Sequence, residues 1–158
     1  MNFKKWKPYF VSVAIALSVG ILSGLLSISG MNAYMQSVTK PALTPPGWVF
    51  SVVWTLLYIL MGIGSARIWM HDESIQRGRG LNLYVVQLIL NFFWSLIFFN
   101  AQAFAVAVIW LLLLLTAVVL MTIQFYKVDR KAAYLQIPYI IWLVFAAYLS
   151  VGVWFLNK

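Results

Sequence analysis

The sequence predicts an all-α membrane protein, a five-transmembrane-helix bundle formed by a single domain over residues 1–158. Three observations predict it. Of 158 residues, 64% are hydrophobic and 9% charged, with a mean hydropathy of +0.93. A water-soluble domain carries about 25% charged residues, so this chain cannot cover itself in water. The charges are also confined: Tyr9–Thr39, Pro41–Ala66, Gly80–Tyr126 and Ala132–Asn157 contain no Asp, Glu, Lys or Arg. Finally, these stretches do not alternate with the period of two that lipid-embedded strands require.

A membrane helix needs about 20 apolar residues. The first, second and fourth stretches each hold one span, placed at 9–29, 46–68 and 132–155. The third is divided by Asn100-Ala101-Gln102 into helices at 81–99 and 103–125. Lys4, Lys5 and Lys7 ahead of the first helix resemble the basic region of a signal peptide. The apolar run is too long for one and no A-x-A site follows, so a retained span is expected. Gly20, Ser23, Gly24 and Ser27 share one side of that helix, and the G-x-x-x-G pair permits close packing inside the bundle or across a dimer.

Residues 30–46 form the first loop. Pro41, Pro45 and Pro46 fix φ and stiffen it, and Thr44 is placed to cap the second helix with Pro45 in its first turn. A stiff loop over an aromatic region reads as a lid. On the second helix Ser51, Trp54, Tyr58, Gly62 and Ser65 recur at i, i+3/i+4. Tyr84, Gln87, Asn91, Trp94 and Phe98 do so on the third. The run Leu111–Leu115 suggests that the fourth helix faces lipid. On the fifth, Pro138 is expected inside the helix, where it frees the Tyr134 carbonyl and bends the chain, and Pro138, Trp142, Phe145/Ala146 and Leu149 form the stripe.

Counting charges gives the orientation. One side gathers Lys4, Lys5, Lys7, Arg67, Arg77, Arg79, Lys127, Arg130 and Lys131, leaving Lys40 and Lys158 of the 11 basic residues for the other. Cytoplasmic loops hold the Lys/Arg excess. The N-terminus is therefore expected inside and the C-terminus outside, probing for a plasma-membrane location. The net charge of +8 is topological and gives no reason to expect nucleic acid.

The chemistry is narrow. There is no cysteine, one histidine and three acids; His71, Asp72 and Glu73 fall in one loop and Asp129 in another. No metal site and no cofactor is expected. Ion-coupled transporters place ionisable groups within the membrane, and this chain keeps its charges in loops and at span ends. What remains is aromatic: 8 Trp, 8 Tyr and 11 Phe. Trp6, Trp48, Trp69 and Trp154 lie near span ends, as interfacial belts do. Trp54, Trp94, Trp110 and Trp142 lie deeper, in or near the half of the membrane away from the basic side. Gln87 and Asn91 need partners in hydrocarbon; they serve as ties between helices, as ligand donors, or as both.

At this point "AYMQSVTKPALTPPGWVFSVVWTLLYILMG", with "QLILNFFWSLIFF" and "PYIIWLVFAAYL", resembles the TspO/translocator protein family, the tryptophan-rich sensory proteins also called peripheral-type benzodiazepine receptors. The resemblance covers nearly the whole chain. It implies a five-helix bundle, often a homodimer, whose pocket below the first loop binds porphyrins, especially protoporphyrin, and benzodiazepine-site drugs. Carried onto this chain, that pocket falls on Tyr34, Pro45, Trp54, Asn91, Trp94, Trp142 and Ala146; Tyr58, on the same stripe as Trp54, joins the candidates. Some relatives degrade protoporphyrin in light, which would assign Trp54 and Trp142 the catalytic part. Ala33 and Leu43 stand where relatives often carry Trp, Trp110 where some carry an acid and Val106 where some carry Trp. Three functions are therefore compared: a porphyrin receptor or sensor, a light-dependent porphyrin-degrading enzyme, and a facilitated transporter of small amphipaths.

Overall fold

In hydrocarbon every unsatisfied backbone group costs several kcal/mol, which leaves helices as the economical answer for runs this apolar. The computed structural model describes residues 3–158 and is all-helical. Its elements are α1 (Phe3–Leu26), α2 (Ile28–Ser37), α3 (Gly47–Trp69), α4 (Ile75–Ser95, continued by a π-helical turn over Leu96–Asn100), α5 (Phe104–Val128), α6 (Arg130–Tyr134) and α7 (Ile137–Leu156). Five helices are long and apolar enough to cross a membrane, α6 and α7 together making the fifth. The two ends of the bundle differ in charge: a basic end, and a lid end that carries Lys40 and Lys158.

Three expected boundaries shift, each for a local reason. α1 starts at Phe3 because Lys4, Lys5 and Lys7 continue the helix past the apolar run, where long stems can lie along it and hold the charge in water. α4 starts at Ile75 because the Ser74 hydroxyl accepts from the Arg77 N–H at 3.1 Å, capping the first turn. The fifth span is broken and does not bend at an interior proline. Asp129 caps α6 by accepting from the Lys131 N–H at 2.9 Å, and the helix ends at Tyr134. α7 begins at Ile137 with Pro138 in its first turn, where the missing N–H is needed by no helical partner.

That restart moves the first two positions of the fifth-span stripe, from Pro138 and Trp142 to Tyr139 and Leu143, while Ala146 and Leu149 are buried as expected. The buried residues of α7 are Tyr139, Leu143, Ala146, Leu149, Ser150 and Val153, whereas Pro138 is exposed and Trp142 sits at the edge. The fourth helix also differs from expectation. Leu112 and Leu113 face outward, but Leu111 and Leu114 are buried with Val118, Met121 and Phe125. α5 packs against α4, α6 and α7, so it is a central strut; α1, whose only buried residues are Ala16 and Ser23, is the peripheral helix.

α1 is fastened by small residues. The Ser23 hydroxyl donates to the Phe92 carbonyl at 3.0 Å and also meets Ser95, and Ser27 reaches Ser95 at 3.1 Å. The Asn100 amide donates to the Leu26 carbonyl at 2.8 Å. A side chain on Gly20 would collide with the Tyr58 ring, while one on Gly24 would meet nothing within 4 Å. One glycine of the G-x-x-x-G pair is thus used inside the bundle and the other is open.

The first loop is half helix. α2 occupies Ile28–Ser37, and only Val38–Pro46 is extended or turned. Thr44 does not cap α3; its hydroxyl donates to the Pro41 carbonyl at 2.7 Å, and Pro46 holds the N-cap position. The segment is fastened to α7 instead. Asn157 bonds both polar groups of Thr39, Tyr148 donates to the Ala42 carbonyl at 3.0 Å, and Pro41 seats against Gly152.

At the basic end Arg67 donates twice to Asp129, from Nε and Nη2, each at 2.7 Å. His71 Nε2 lies 3.5 Å from the same carboxylate. The histidine thus faces an acid distant in sequence as well as its neighbours Asp72 and Glu73.

Candidate functional site

Helix geometry gathers the candidate residues at the lid end, in two aromatic groups. The first lies between α3 and α7. Trp54 is 5.8 Å from Tyr58 and 6.1 Å from Tyr139, ring centre to ring centre. Trp142 reaches the group through Phe50 at 5.7 Å and Phe145 at 5.5 Å. Among the described residues no ring pair joins Trp54 to Trp142 directly. Ala146, one turn beyond Trp142, is buried in this same core.

The second group joins α2 to the end of α4. Tyr34 packs against Phe98 at 5.4 Å and Phe99 at 5.3 Å. Trp94 stacks on Phe98 at 5.1 Å with 22° between the planes. Trp94 also packs against both buried clusters, so it bridges the two groups. Lys40 stands over the Tyr34 ring at 5.1 Å while its ammonium donates to the Met35 and Val38 carbonyls. Pro45 is half-buried in the segment ahead of α3.

Beneath the rings runs a chain of hydrogen bonds. The Tyr58 hydroxyl donates to Asn91 Oδ1 at 2.6 Å, Asn91 Nδ2 donates to the Tyr139 oxygen at 2.7 Å, and the Tyr139 hydroxyl donates to Gln87 Oε1 at 2.8 Å. Gln87 Nε2 then points to the Met61 sulfur at 3.6 Å. The chain ties α3, α4 and α7, and both ends of the Asn91 amide are engaged in it. Of the two roles open to Asn91 in the sequence, the tie between helices is the one formed. Tyr139 was missed by the sequence reading. Its signal was the i+3/i+4 spacing Tyr139, Leu143, Ala146, whose first two positions lie one residue out of register with the stripe built on Pro138.

The deep tryptophans are not alike. Trp110 donates its indole N–H to the Leu90 carbonyl at 2.8 Å, which makes it a fastener between α5 and α4. The indole nitrogen of Trp94 is buried with no hydrogen-bond partner among the described residues. A buried unpaired donor costs about 1–3 kcal/mol, and here it sits inside an aromatic assembly below a latched segment. Flat apolar rings can stack on such walls, and an acceptor on such a ring could take the Trp94 hydrogen.

Comparison with known proteins gives a consistent result. Residues 11–155 match the TspO/MBR family. The chain is similar to Protein CrtK of Rhodobacter capsulatus, at 34% identity over 99% of this chain and 95% of the relative. It is similar to Tryptophan-rich protein TspO of Chlorobaculum tepidum, at 32% over 92% of each. It is also similar to the human Translocator protein, at 35% over 94% of this chain and 89% of the relative.

Proposed function

Since the chain belongs to the TspO/MBR family of integral membrane proteins, we propose that it is a membrane receptor or sensor for porphyrins, protoporphyrin foremost, and for flat drugs of the benzodiazepine-site type. The observation that carries this reading is Trp94: a buried indole donor without an acceptor, stacked on Phe98 between two aromatic groups. A macrocycle entering between Trp54, Trp94 and Trp142 would gain aromatic burial, and an oxygen of one of its two propionates could accept from the Trp94 N–H. Lys40, above Tyr34, is the cation placed for a propionate. Tyr34, Pro45, Tyr58, Asn91 and Ala146 complete the proposed wall, Tyr58 and Asn91 as its hydrogen-bonded floor. The orientation proposed is N-terminus cytoplasmic and C-terminus outside, in the plasma membrane. A homodimer is proposed as well, because the open Gly24 leaves a flat strip on α1.

A second reading is light-dependent oxidation of the bound porphyrin. It is supported by the contact of Trp54 with Tyr58 and Tyr139, which sets oxidisable rings side by side. One titration separates the readings. Protoporphyrin is added to purified protein in the dark, Trp fluorescence is followed, and the sample is then illuminated. Saturable quenching that weakens in Trp94→Phe, with stable porphyrin bands in light, supports the receptor. Loss of the bands in light that is absent from Trp54→Phe/Trp142→Phe supports the enzyme. Absence of saturable quenching overturns both.

A further inference from the structure

A cavity of about 510 Å³ lies at the basic end between α1, α3 and α4, and it shares no lining residue with the aromatic groups. That volume is within the ~300–1,000 Å³ of small-molecule sites. Each helix gives it one face: Lys7, Ser12 and Ile15 on α1, Ser65 and Trp69 on α3, Tyr84 and Leu88 on α4. Its lining is mainly apolar, and Ile15 and Val85 at its flanks are half exposed, so it opens sideways toward lipid.

Two independent features say what fits. The first is charge at the mouth. Lys7 lines one side; on the other, Arg77 stands 5.0 Å over the Trp69 ring and donates to the Trp69 carbonyl at 2.9 Å. A tryptophan beside cations at a span end is the arrangement that meets lipid headgroups. The second lies deeper. Tyr84 is 7% exposed, and its hydroxyl has no hydrogen-bond partner among the described residues. The Ser65 hydroxyl in the same wall donates to the Gly62 carbonyl at 3.1 Å, and its oxygen neighbours the Tyr84 hydroxyl without completing a hydrogen bond to it. Side chains on a helix lean toward its N-terminus, and α4 runs from the basic end, so Tyr84 leans toward the mouth.

We propose that this cavity binds one anionic glycerophospholipid, with its phosphodiester between Lys7 and Arg77, an ester carbonyl accepting from the Tyr84 hydroxyl, and an acyl chain along Ile15 and Leu88. The order of groups selects this class. A free fatty acid carries its only polar atoms at the mouth and leaves Tyr84 unpaired. A zwitterionic phospholipid satisfies Tyr84 but brings an ammonium to a cationic rim. The site is separate from the aromatic one and stands without the porphyrin reading.

The test is native mass spectrometry of the full chain in detergent, titrated separately with dioleoyl phosphatidylglycerol, dioleoyl phosphatidylcholine and oleate. Phosphatidylglycerol is expected to bind most tightly. Lys7→Gln should weaken it about fivefold and narrow its lead over phosphatidylcholine, since one cation near a headgroup is worth about 1 kcal/mol. Tyr84→Phe should weaken both phospholipids about fivefold, the worth of one hydrogen bond, and leave oleate unchanged. Val85→Trp, a substitution at a half-exposed flank that the fold tolerates, should block all three by filling the opening. Equal binding of the two phospholipids overturns the proposal. So do an unchanged phosphatidylglycerol titration in Lys7→Gln and Tyr84→Phe, and oleate binding as tight as phosphatidylglycerol.

Discussion

Asn157, in the last turn of the chain, holds the backbone of Thr39 from both sides. Its Oδ1 accepts from the Thr39 N–H at 3.0 Å and its Nδ2 donates to the Thr39 carbonyl at 2.8 Å. Residues far apart in sequence are thereby closed into a latch between the first loop and the end of α7. The loop's stiffness comes from its prolines, but its position comes from this pair together with Tyr148 and Ala42.

Asn157→Ala should release the latch without unfolding the bundle. Two neutral hydrogen bonds at about 1 kcal/mol each correspond to roughly a tenfold or greater rise in the open population. Hydrogen exchange at residues 38–44 should speed up by that factor while α5 stays protected. Unchanged exchange would show that Pro41 against Gly152 and the Tyr148 bond suffice.

Removing Asn91 should cost more than removing the Tyr58 hydroxyl beside it. Asn91→Leu strands the Tyr58 hydroxyl proton and takes a donor from the Tyr139 oxygen, which keeps its own bond to Gln87, whereas Tyr58→Phe leaves only one lone pair of Asn91 unfilled. Buried hydrogen bonds within membranes are worth about 0.6–2 kcal/mol, so Asn91→Leu is expected to lose about 1–3 kcal/mol. Thermal unfolding in detergent measures the order of the two variants.

The two glycines of α1 should respond oppositely. Gly20→Leu drives a side chain into the Tyr58 ring, and overpacking of this kind costs about 1–3 kcal/mol. A Cβ added at Gly24 meets nothing within 4 Å among the described residues, so Gly24→Leu should leave the monomer's melting temperature unchanged. If the chain pairs with a second copy through α1, Gly24→Leu will instead shift its size on gel filtration, which tests the proposed homodimer.

Acid should loosen the basic end through Asp129. Burial works against its carboxylate, but the Lys131 N–H, the charge and hydrogen bond of Arg67 and the Ala132 N–H outweigh it and hold the group below its ordinary value of 3.8. A carboxyl lowered by folding adds stability above its unfolded value and loses it as pH falls from there through the folded value. The wild type should therefore lose melting temperature below about pH 4, in the window where a depressed carboxylate takes up its proton. Asp129→Asn, which still caps α6, should start lower at neutral pH and show a flatter acid limb.

How far the sequence carried the fold depended on what each element answers to. The five spans answer to the solvent. Their number followed from where Asp, Glu, Lys and Arg stop, and the turn at Asn100–Gln102 was visible as a polar break. The stripe Gln87, Asn91, Trp94, Phe98 was also legible, because α4 keeps one helical phase from Tyr84 to the π turn. The fifth span was not. Asp129 caps a one-turn helix, α7 restarts with Pro138 in its first turn, and the start of the stripe moves by one position onto Tyr139 and Leu143, with Ala146 and Leu149 kept.

The sequence by itself determined the medium, the number of crossings and the gathering of basic residues toward one end of the bundle. These are one-dimensional properties of hydropathy and charge against a slab of fixed thickness. Only the tertiary structure decided which polar groups would be used up. Trp110 finds the Leu90 carbonyl and Asn91 finds two phenols, while Trp94 and Tyr84 find no partner among the described residues. Pairing is a matter of a few tenths of a nanometre between helices, set by small residues such as Gly20 and Ser23 and by helix phase, and no periodicity along one strand of sequence contains that distance.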